Sequence, residues 1–150
     1  MIAMFALDTN LLIYAHNQDS IFNDKASEFI EKVMNDPDDS GELPICLPSQ
    51  VITEFINVIT RQNSKNPVLL ENAISIVQDY INTGIRIIHQ TNNQISTLLE
   101  LLGKSSTRKT IFDIALVATL KDNNISGLYT ANVKDFEEFD FLKIINPLEQ

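Results

Sequence analysis

The sequence predicts an α/β domain of three layers, in which helices cover both faces of a mostly parallel sheet. Short apolar segments of strand length alternate along the chain with segments whose apolar residues recur at helical spacing. The first strand, within Ile2–Leu7, is apolar at every position, which is typical of a strand buried on both faces. With 150 residues and 44% hydrophobic content, the chain is expected to form one domain over residues 1–150.

The predicted elements follow one another in a regular order. Strands are expected within residues 2–7, 45–47, 85–88, 127–130 and 142–145, the last at an edge of the sheet. Helices are expected from residue 11 and over 22–33, 49–59, 67–81, 91–102 and 111–120. The helix over 67–81 is expected to face inward with Leu69, Leu70, Ala73, Ile74, Val77 and Ile81. The helix that begins at Thr91 is expected to run through Ile95, Leu98, Leu99 and Leu102 and to be closed by Gly103.

Composition limits the classes of function. The net charge of −9 argues against broad electrostatic adhesion to nucleic acid or anionic membranes, but acids that bind a divalent cation are compatible with phosphate chemistry. The single cysteine, Cys46, cannot form an internal disulfide and is expected to be a core residue, which fits a reducing cytoplasm. No segment has transmembrane length, and no basic segment precedes the first apolar run, so neither a membrane span nor a signal peptide is expected.

The first strand ends at an acid, Asp8, after which the apolar spacing becomes helical. Asp8 is therefore expected at the carboxyl end of a central strand, where open α/β sheets place their ligand sites. Thr9 or Asn10 is predicted to cap the helix through a side-chain oxygen. The structural alternative is that Asp8 is only a turn or capping residue.

Two further acids lie among apolar residues on predicted helices. Glu54 and Asp113 are each expected to point toward the apolar side of their helix, where an unpaired charge costs several kcal/mol. Each has a structural alternative. Asp113 can lie in a first turn and favour the helix dipole, and Glu54 can pair with Arg61 or Arg108.

Three such carboxylates together favour a metal site. Mg²⁺ prefers oxygen ligands and retains several waters, and in phosphodiester hydrolysis it activates water and stabilises the departing oxygen. The two histidines, His16 and His89, fall outside the acidic segments. No serine–histidine–aspartate arrangement, phosphate-binding glycine loop or zinc spacing is visible in the sequence. Metal-assisted hydrolysis is the class of chemistry that remains.

Four segments resemble the motifs of the PIN domain family, and particularly those of the VapC-type toxin ribonucleases. They are FALDTNLLIYA (5–15), LPSQVITEFINVI (47–59), FDIALVATL (112–120) and LYTANVKDF (128–136). The four occur in the order of the family motifs and span nearly the whole chain. The resemblance implies a PIN-like fold with Asp8, Glu54 and Asp113 as catalytic ligands of Mg²⁺ or Mn²⁺. It also implies that Asn10 and Thr130 support the site.

The last motif departs from the family pattern. Many family members carry an aspartate two residues after the threonine, where this chain has Asn132. Asp135 follows three residues later. Asn132 and Asp135 are the two candidates for a further metal ligand, and the number of metal ions, one or two, stays open.

The resemblance further implies an endoribonuclease that hydrolyses RNA phosphodiester bonds, pairs with a small antitoxin and forms a homodimer. The basic residues Lys104, Arg108 and Lys109 precede Asp113 and are the candidates for RNA contact; a solvated loop is their alternative.

Two other functions compete with this interpretation. A PIN-like domain that binds RNA or protein without cleaving is motivated by Asn132 and by the acidic composition. A phosphotransfer or phosphatase domain with Asp8 as nucleophile lacks the second aspartate two residues on, because Asn10 stands there.

Overall fold

The computed structural model describes residues 3–62, 65–105 and 110–149. Its strands form one five-stranded sheet in the order β3-β2-β1-β4-β5, and every neighbouring pair is parallel. The α/β prediction with a mostly parallel sheet is confirmed. The strands are β1 (Phe5–Leu7), β2 (Ile45–Pro48), β3 (Arg86–Ile88), β4 (Gly127–Tyr129) and β5 (Lys143–Ile145).

In the part of the chain that the structure describes, six helices flank this sheet. The first helix packs on both the second and the third, the third packs on the fourth, and the fifth packs on the sixth. Because crossovers between parallel strands are right-handed, the chain covers one face on its way to β3 and the other on its return to β4. The helices are α1 (Thr9–Ala15), α2 (Asn23–Met34), α3 (Ser49–Ile59), α4 (Leu70–Asn82), α5 (Gln94–Lys104) and α6 (Ile111–Asp122).

The sheet reverses its strand order around β1. Phe5 of β1 is in register with Ile45 of β2 on one side and with Gly127 of β4 on the other. The chain runs outward from β1 through β2 to β3 and then crosses back to β4. The carboxyl ends of β1 and β4 therefore form the switch point at which open α/β sheets bind ligands. Asp8 and Thr130 directly follow these two strands.

The centre of the core is formed by the inner strands β1, β2 and β4. Ala6, Cys46 and Leu128 of three adjacent strands are completely buried, and Cys46 is a free thiol as predicted. Gly127 lies so close to its neighbours that a Cβ there would meet the Phe5 ring and, at 2.6 Å, the Lys143 carbonyl oxygen. The tight pairing of β4 with β5 therefore requires glycine at this position.

Helices α4 and α5 both expose large apolar residues, and the predicted inward face of α4 is therefore wrong at several positions. On α4 the buried residue is Ala73, with Val77 and Tyr80 partly buried. The exposed large apolar residues on or beside these two helices are Leu69, Leu70, Ile74, Ile81, Ile95 and Leu99. Both helices are apolar around much of their circumference, so periodicity alone could not select the side that packs.

Two further expectations concern single segments. Lys104 is not in a loop but in the last turn of α5, which runs through Gly103. The strand predicted at residues 142–145 is confirmed as the edge strand β5. Within the described ranges no helix is both long and apolar enough to cross a membrane.

Candidate active site

Asp8 is the buried carboxylate at the centre of the site. It is only 8% exposed, and its Oδ1 accepts a hydrogen bond of 2.8 Å from the Thr9 backbone N–H, so Asp8 caps α1. The prediction that Thr9 or Asn10 caps this helix is therefore wrong. Asp8 is thus a capping residue, as its structural alternative states. Only Oδ1 is used for the cap, and Oδ2 lies among other polar groups.

Asn10 and Thr130 hold the second oxygen of Asp8. The Thr130 hydroxyl donates to Asp8 Oδ2 at 2.7 Å, and the Asn10 amide nitrogen lies 3.5 Å from the same oxygen. The Asn10 amide also donates to Thr130 Oγ1 at 3.3 Å, and its Oδ1 accepts from the Ala131 backbone N–H at 3.3 Å. These hydrogen bonds join the ends of β1 and β4 around Asp8.

The pKa of the Asp8 carboxyl is raised to about 6. Burial is the largest cause, and the negative charges of Asp113 and Glu54 raise it further. The hydrogen bonds from Thr130 and Thr9 act in the opposite direction, because they favour the ionised form. Without a cation, the fold therefore holds the ionised form of Asp8 at an energetic cost.

Glu54 lies at the rim of the site rather than on the apolar side of its helix. The residue is exposed, and the expectation of an inward-facing Glu54 is wrong. On α3 the buried residues are Val51 and Phe55, and Glu54 lies beside the face that they form rather than on it. The Thr9 hydroxyl nevertheless donates to Glu54 Oε2 at 3.1 Å, which ties the carboxylate to the start of α1.

Gln50 is a site residue that the sequence interpretation missed. Its side-chain amide donates to Glu54 Oε1 at 3.2 Å and to the Phe112 backbone carbonyl at 3.0 Å. Gln50 therefore connects α3 with the start of α6. Its spacing of four residues from Glu54 was the available signal, because side chains at i and i+4 share one face of a helix.

Asp113 lies in the first turn of α6 and is half-buried. Its pKa is raised, first by burial and then by the charges of Asp135 and Glu54, while a hydrogen bond with the Thr110 side chain lowers it. The first-turn position also gives it the favourable helix-dipole interaction that was its structural alternative. The charge of Glu54 raises the pKa of both Asp8 and Asp113, so these three acids from different elements lie within electrostatic range of one another.

The two candidates for a further ligand differ in their surroundings. Asp135, in the 3₁₀ turn Val133–Asp135, is close enough to raise the pKa of Asp113. Asn132 is exposed, and its backbone N–H donates to Thr130 Oγ1 at 3.0 Å. The structure thus brings Asp135 toward the Asp113 side of the site, while Asn132 stabilises the turn after β4.

The donors present suit a hard divalent cation. All are oxygen donors, and among the described residues no lysine or arginine pairs with Asp8, Glu54 or Asp113. In that same part of the chain, no three side chains of the metal-binding types lie close enough together to hold one ion. Mg²⁺ retains several waters and uses only one or two carboxylates, so the donor set fits it.

The predicted RNA-binding residues are only partly described. Lys104 is exposed and forms an ion pair with Glu100 at 3.5 Å. Arg108 and Lys109 lie outside the described residues.

Comparison with known proteins decides the family. The family model described as "PIN domain" matches residues 5–142. The chain belongs to the PIN domain family. The match covers strands β1 to β4 and ends just before β5, so this PIN domain includes every carboxylate discussed above.

The relatives of this PIN domain are distant. Ribonuclease VapC24 of Mycobacterium tuberculosis is 22% identical over 153 residues, with 97% of each chain covered. The crystal structure of Mycobacterium tuberculosis VapC20, a Sarcin-Ricin loop cleaving toxin, gives a TM-score of 0.67 at 15% identity, covering 91% of this chain and 95% of that one. A toxin-antitoxin complex from Klebsiella pneumoniae gives 0.62 at 16% identity, covering 95% and 97%.

Proposed function

We propose that this PIN domain is a divalent-cation-dependent endoribonuclease that hydrolyses RNA phosphodiester bonds as the toxin of a toxin-antitoxin pair. The observation that carries the proposal is the buried carboxylate Asp8 at the switch point of the sheet, with Glu54 and Asp113 near enough to raise its pKa and no cationic partner among the described residues. The distant relation to a protein named Ribonuclease VapC24 supports RNA as the substrate.

The residues of the chain divide the task. Asp8, Glu54 and Asp113 are the proposed catalytic ligands of Mg²⁺ or Mn²⁺, with Asp135 the better placed of the two further candidates. A bound cation supplies activation of a water molecule and charge stabilisation at the phosphate. Thr130 and Asn10 fix the orientation of Asp8, and Thr9 and Gln50 fix that of Glu54. This support limits the reorganisation needed when substrate binds.

The proposed partners are a small antitoxin and a second copy of the chain. Solved relatives include a toxin-antitoxin complex, which supports the first. The exposed apolar residues of α4 and α5, such as Leu70, Ile74 and Leu99, provide apolar surface of the kind that protein partners cover. On this proposal the whole chain of 150 residues acts as one domain.

The proposal is tested by cleavage of synthetic RNA that contains single-stranded and hairpin segments. The wild-type protein should cleave with Mg²⁺ or Mn²⁺ and lose activity in a chelator. Asp8→Asn and Asp113→Asn should each lower kcat/KM by orders of magnitude, since each removes a charged ligand. Asp79→Asn, at an exposed acid of α4, is the matched control and should retain activity.

Two outcomes would contradict the proposal. Full cleavage in the chelator would exclude a cation-dependent mechanism. RNA binding without cleavage under any divalent cation would favour the alternative of a non-cleaving PIN domain, which the exposed positions of Glu54 and Asn132 make the main competitor.

A further inference from the structure

Two large apolar residues are exposed at the start of α6, directly before Asp113. Phe112 is 79% exposed and Ile111 is 40% exposed. The remainder of this helix is mostly buried, including Val117, Ala118 and Leu120, which are completely inaccessible. An aromatic ring left in solvent on such a helix contributes little to the core, so its position calls for a different explanation.

The backbone of Phe112 is fixed to the site. The Gln50 amide donates to the Phe112 carbonyl oxygen at 3.0 Å and to Glu54 Oε1 at 3.2 Å. One side chain therefore joins the residue that carries the exposed ring to a carboxylate of the site. Asp113 is the next residue after Phe112, and the charge of Glu54 raises the pKa of Asp113. Phe112 therefore lies at the rim of the site, beside two candidate catalytic acids.

The charge of the molecule makes a non-ionic contact valuable here. With a net charge of −9 and several carboxylates at the site, electrostatic attraction of the RNA backbone is weak. Stacking of a base on an aromatic ring is independent of that charge and is available to every base. It requires an exposed ring beside the path of a single strand, which is the situation of Phe112.

We propose that Phe112 is the platform on which an unpaired base of the RNA substrate stacks next to the cleaved phosphate. This inference rests on the proposed ribonuclease function and adds a substrate requirement to it. A base that is paired in a duplex cannot stack on the ring, so single-stranded or looped RNA is the substrate class. Removal of one base near the cleaved bond, with the backbone left intact, should weaken binding of that RNA.

The absence of tryptophan from the sequence provides a direct readout. Phe112→Trp introduces a unique fluorophore, and stacking on a base should quench its emission when RNA is added. The titration is done in an Asp8→Asn background so that the RNA stays intact. Phe141→Trp is the matched control, because Phe141 is 41% exposed but lies beside Lys121, at the other end of α6 from Phe112. Its emission should not change.

Activity provides the second readout. Phe112→Leu retains an apolar side chain but removes the aromatic face, and it should raise KM about tenfold with a smaller change in kcat. Phe112→Tyr should retain the wild-type KM because its ring can still stack. An RNA with an abasic position next to the cleaved bond should be bound equally weakly by the wild type and by Phe112→Leu.

The outcomes separate this inference from the function on which it rests. If the wild type binds and cleaves RNA, while Phe112→Trp emission and the KM of Phe112→Leu stay unchanged, the stacking platform is excluded and the ribonuclease stands. If the wild type neither binds nor cleaves RNA, measured with a labelled oligonucleotide, the proposed function fails and the stacking platform fails with it.

Discussion

Thr130 links the ends of the two strands that frame the site. Its side chain is completely buried, and its hydroxyl donates to Asp8 while accepting from Asn10 and from the Asn132 backbone N–H. One hydroxyl therefore connects the acid after β1 with the turn after β4. A buried group with several partners leaves each of them unsatisfied when it is removed.

Thr130→Val should lower the free energy of unfolding by about 1–3 kcal/mol, because a carboxylate oxygen of Asp8 loses its closest donor. Thr130→Ser keeps the hydroxyl and is the matched control. Chemical denaturation in the presence of a chelator measures both. Wild-type stability of Thr130→Val would show that the hydrogen bond network does not hold Asp8 in place.

The buried carboxyl group of Asp8 also makes the stability of the cation-free protein depend on pH. Its folded pKa of about 6 is above the unfolded value of 3.8, so the folded state binds the proton more tightly. The unfolding free energy of the cation-free protein therefore falls as pH rises between about 4 and 6. The cost is fully present above pH 6 and absent below pH 4. The shift of about two units sets an upper bound of about 3 kcal/mol for this group.

Asp113→Asn should relieve part of this cost while abolishing activity. The substitution preserves shape and removes a charge that raises the pKa of Asp8, and burial raises the pKa of Asp113 itself. The melting temperature without cation should rise at neutral pH, and this gain should shrink on acidification. Active-site residues commonly lower stability in return for function, so their replacement can stabilise a protein. A lower melting temperature at neutral pH would mean that Asp113 holds a structural partner, with Thr110 the first candidate.

At the scale of elements, the strands were predictable and the helix faces were not. A short apolar run that ends at Asp8 or Thr130 is typical of a buried strand. The carboxyl ends of the strands and the polar residues that follow them could therefore be predicted from the sequence. Helix α4 is different because Leu70, Ala73 and Ile74 are all apolar. Only Ala73 is buried, since α4 packs mainly on α3 and not on the sheet.

Glu54 illustrates the same limit at the site. Val51 and Val58, at i−3 and i+4 from Glu54, do not determine whether Glu54 itself faces the core, because the apolar face of a helix is broad. The structure exposes Glu54 and attaches it to Thr9 and Gln50 instead. These bonds depend on how α1, α3 and α6 pack, and long-range packing is not encoded in the spacing along one helix.

Two adjacent residues of α4 test its orientation. Ala73→Leu should destabilise the protein by about 1–3 kcal/mol, because its methyl group is completely buried and larger groups overpack the site. Ile74→Gln, one residue later and 55% exposed, should change stability by no more than about 0.5 kcal/mol. Comparable effects of the two substitutions on thermal unfolding would mean that the packed face of α4 has been assigned incorrectly.

The acidity of the whole molecule limits how it attracts RNA. With 11 basic and 20 acidic residues, binding depends on a few local cations, and Lys104 is already paired with Glu100. Lys104→Ala should therefore leave the salt dependence of RNA binding nearly unchanged. Arg108→Ala with Lys109→Ala should reduce the slope by about 0.7 for each lost contact with single-stranded RNA. An unchanged slope in this double variant would assign the basic residues to a solvated surface.

The central claim is that a divalent cation with its bound waters occupies the acidic site around Asp8, Glu54 and Asp113, and that each acid contributes to its affinity. The most direct measurement is titration with Mn²⁺, followed by the loss of the free-ion paramagnetic resonance signal, in the absence of RNA. Wild type and Asp79→Asn should bind Mn²⁺ alike, and Asp8→Asn and Asp113→Asn should each bind about tenfold more weakly or worse. Equal Mn²⁺ affinity in all four proteins would contradict a cation site built from these carboxylates.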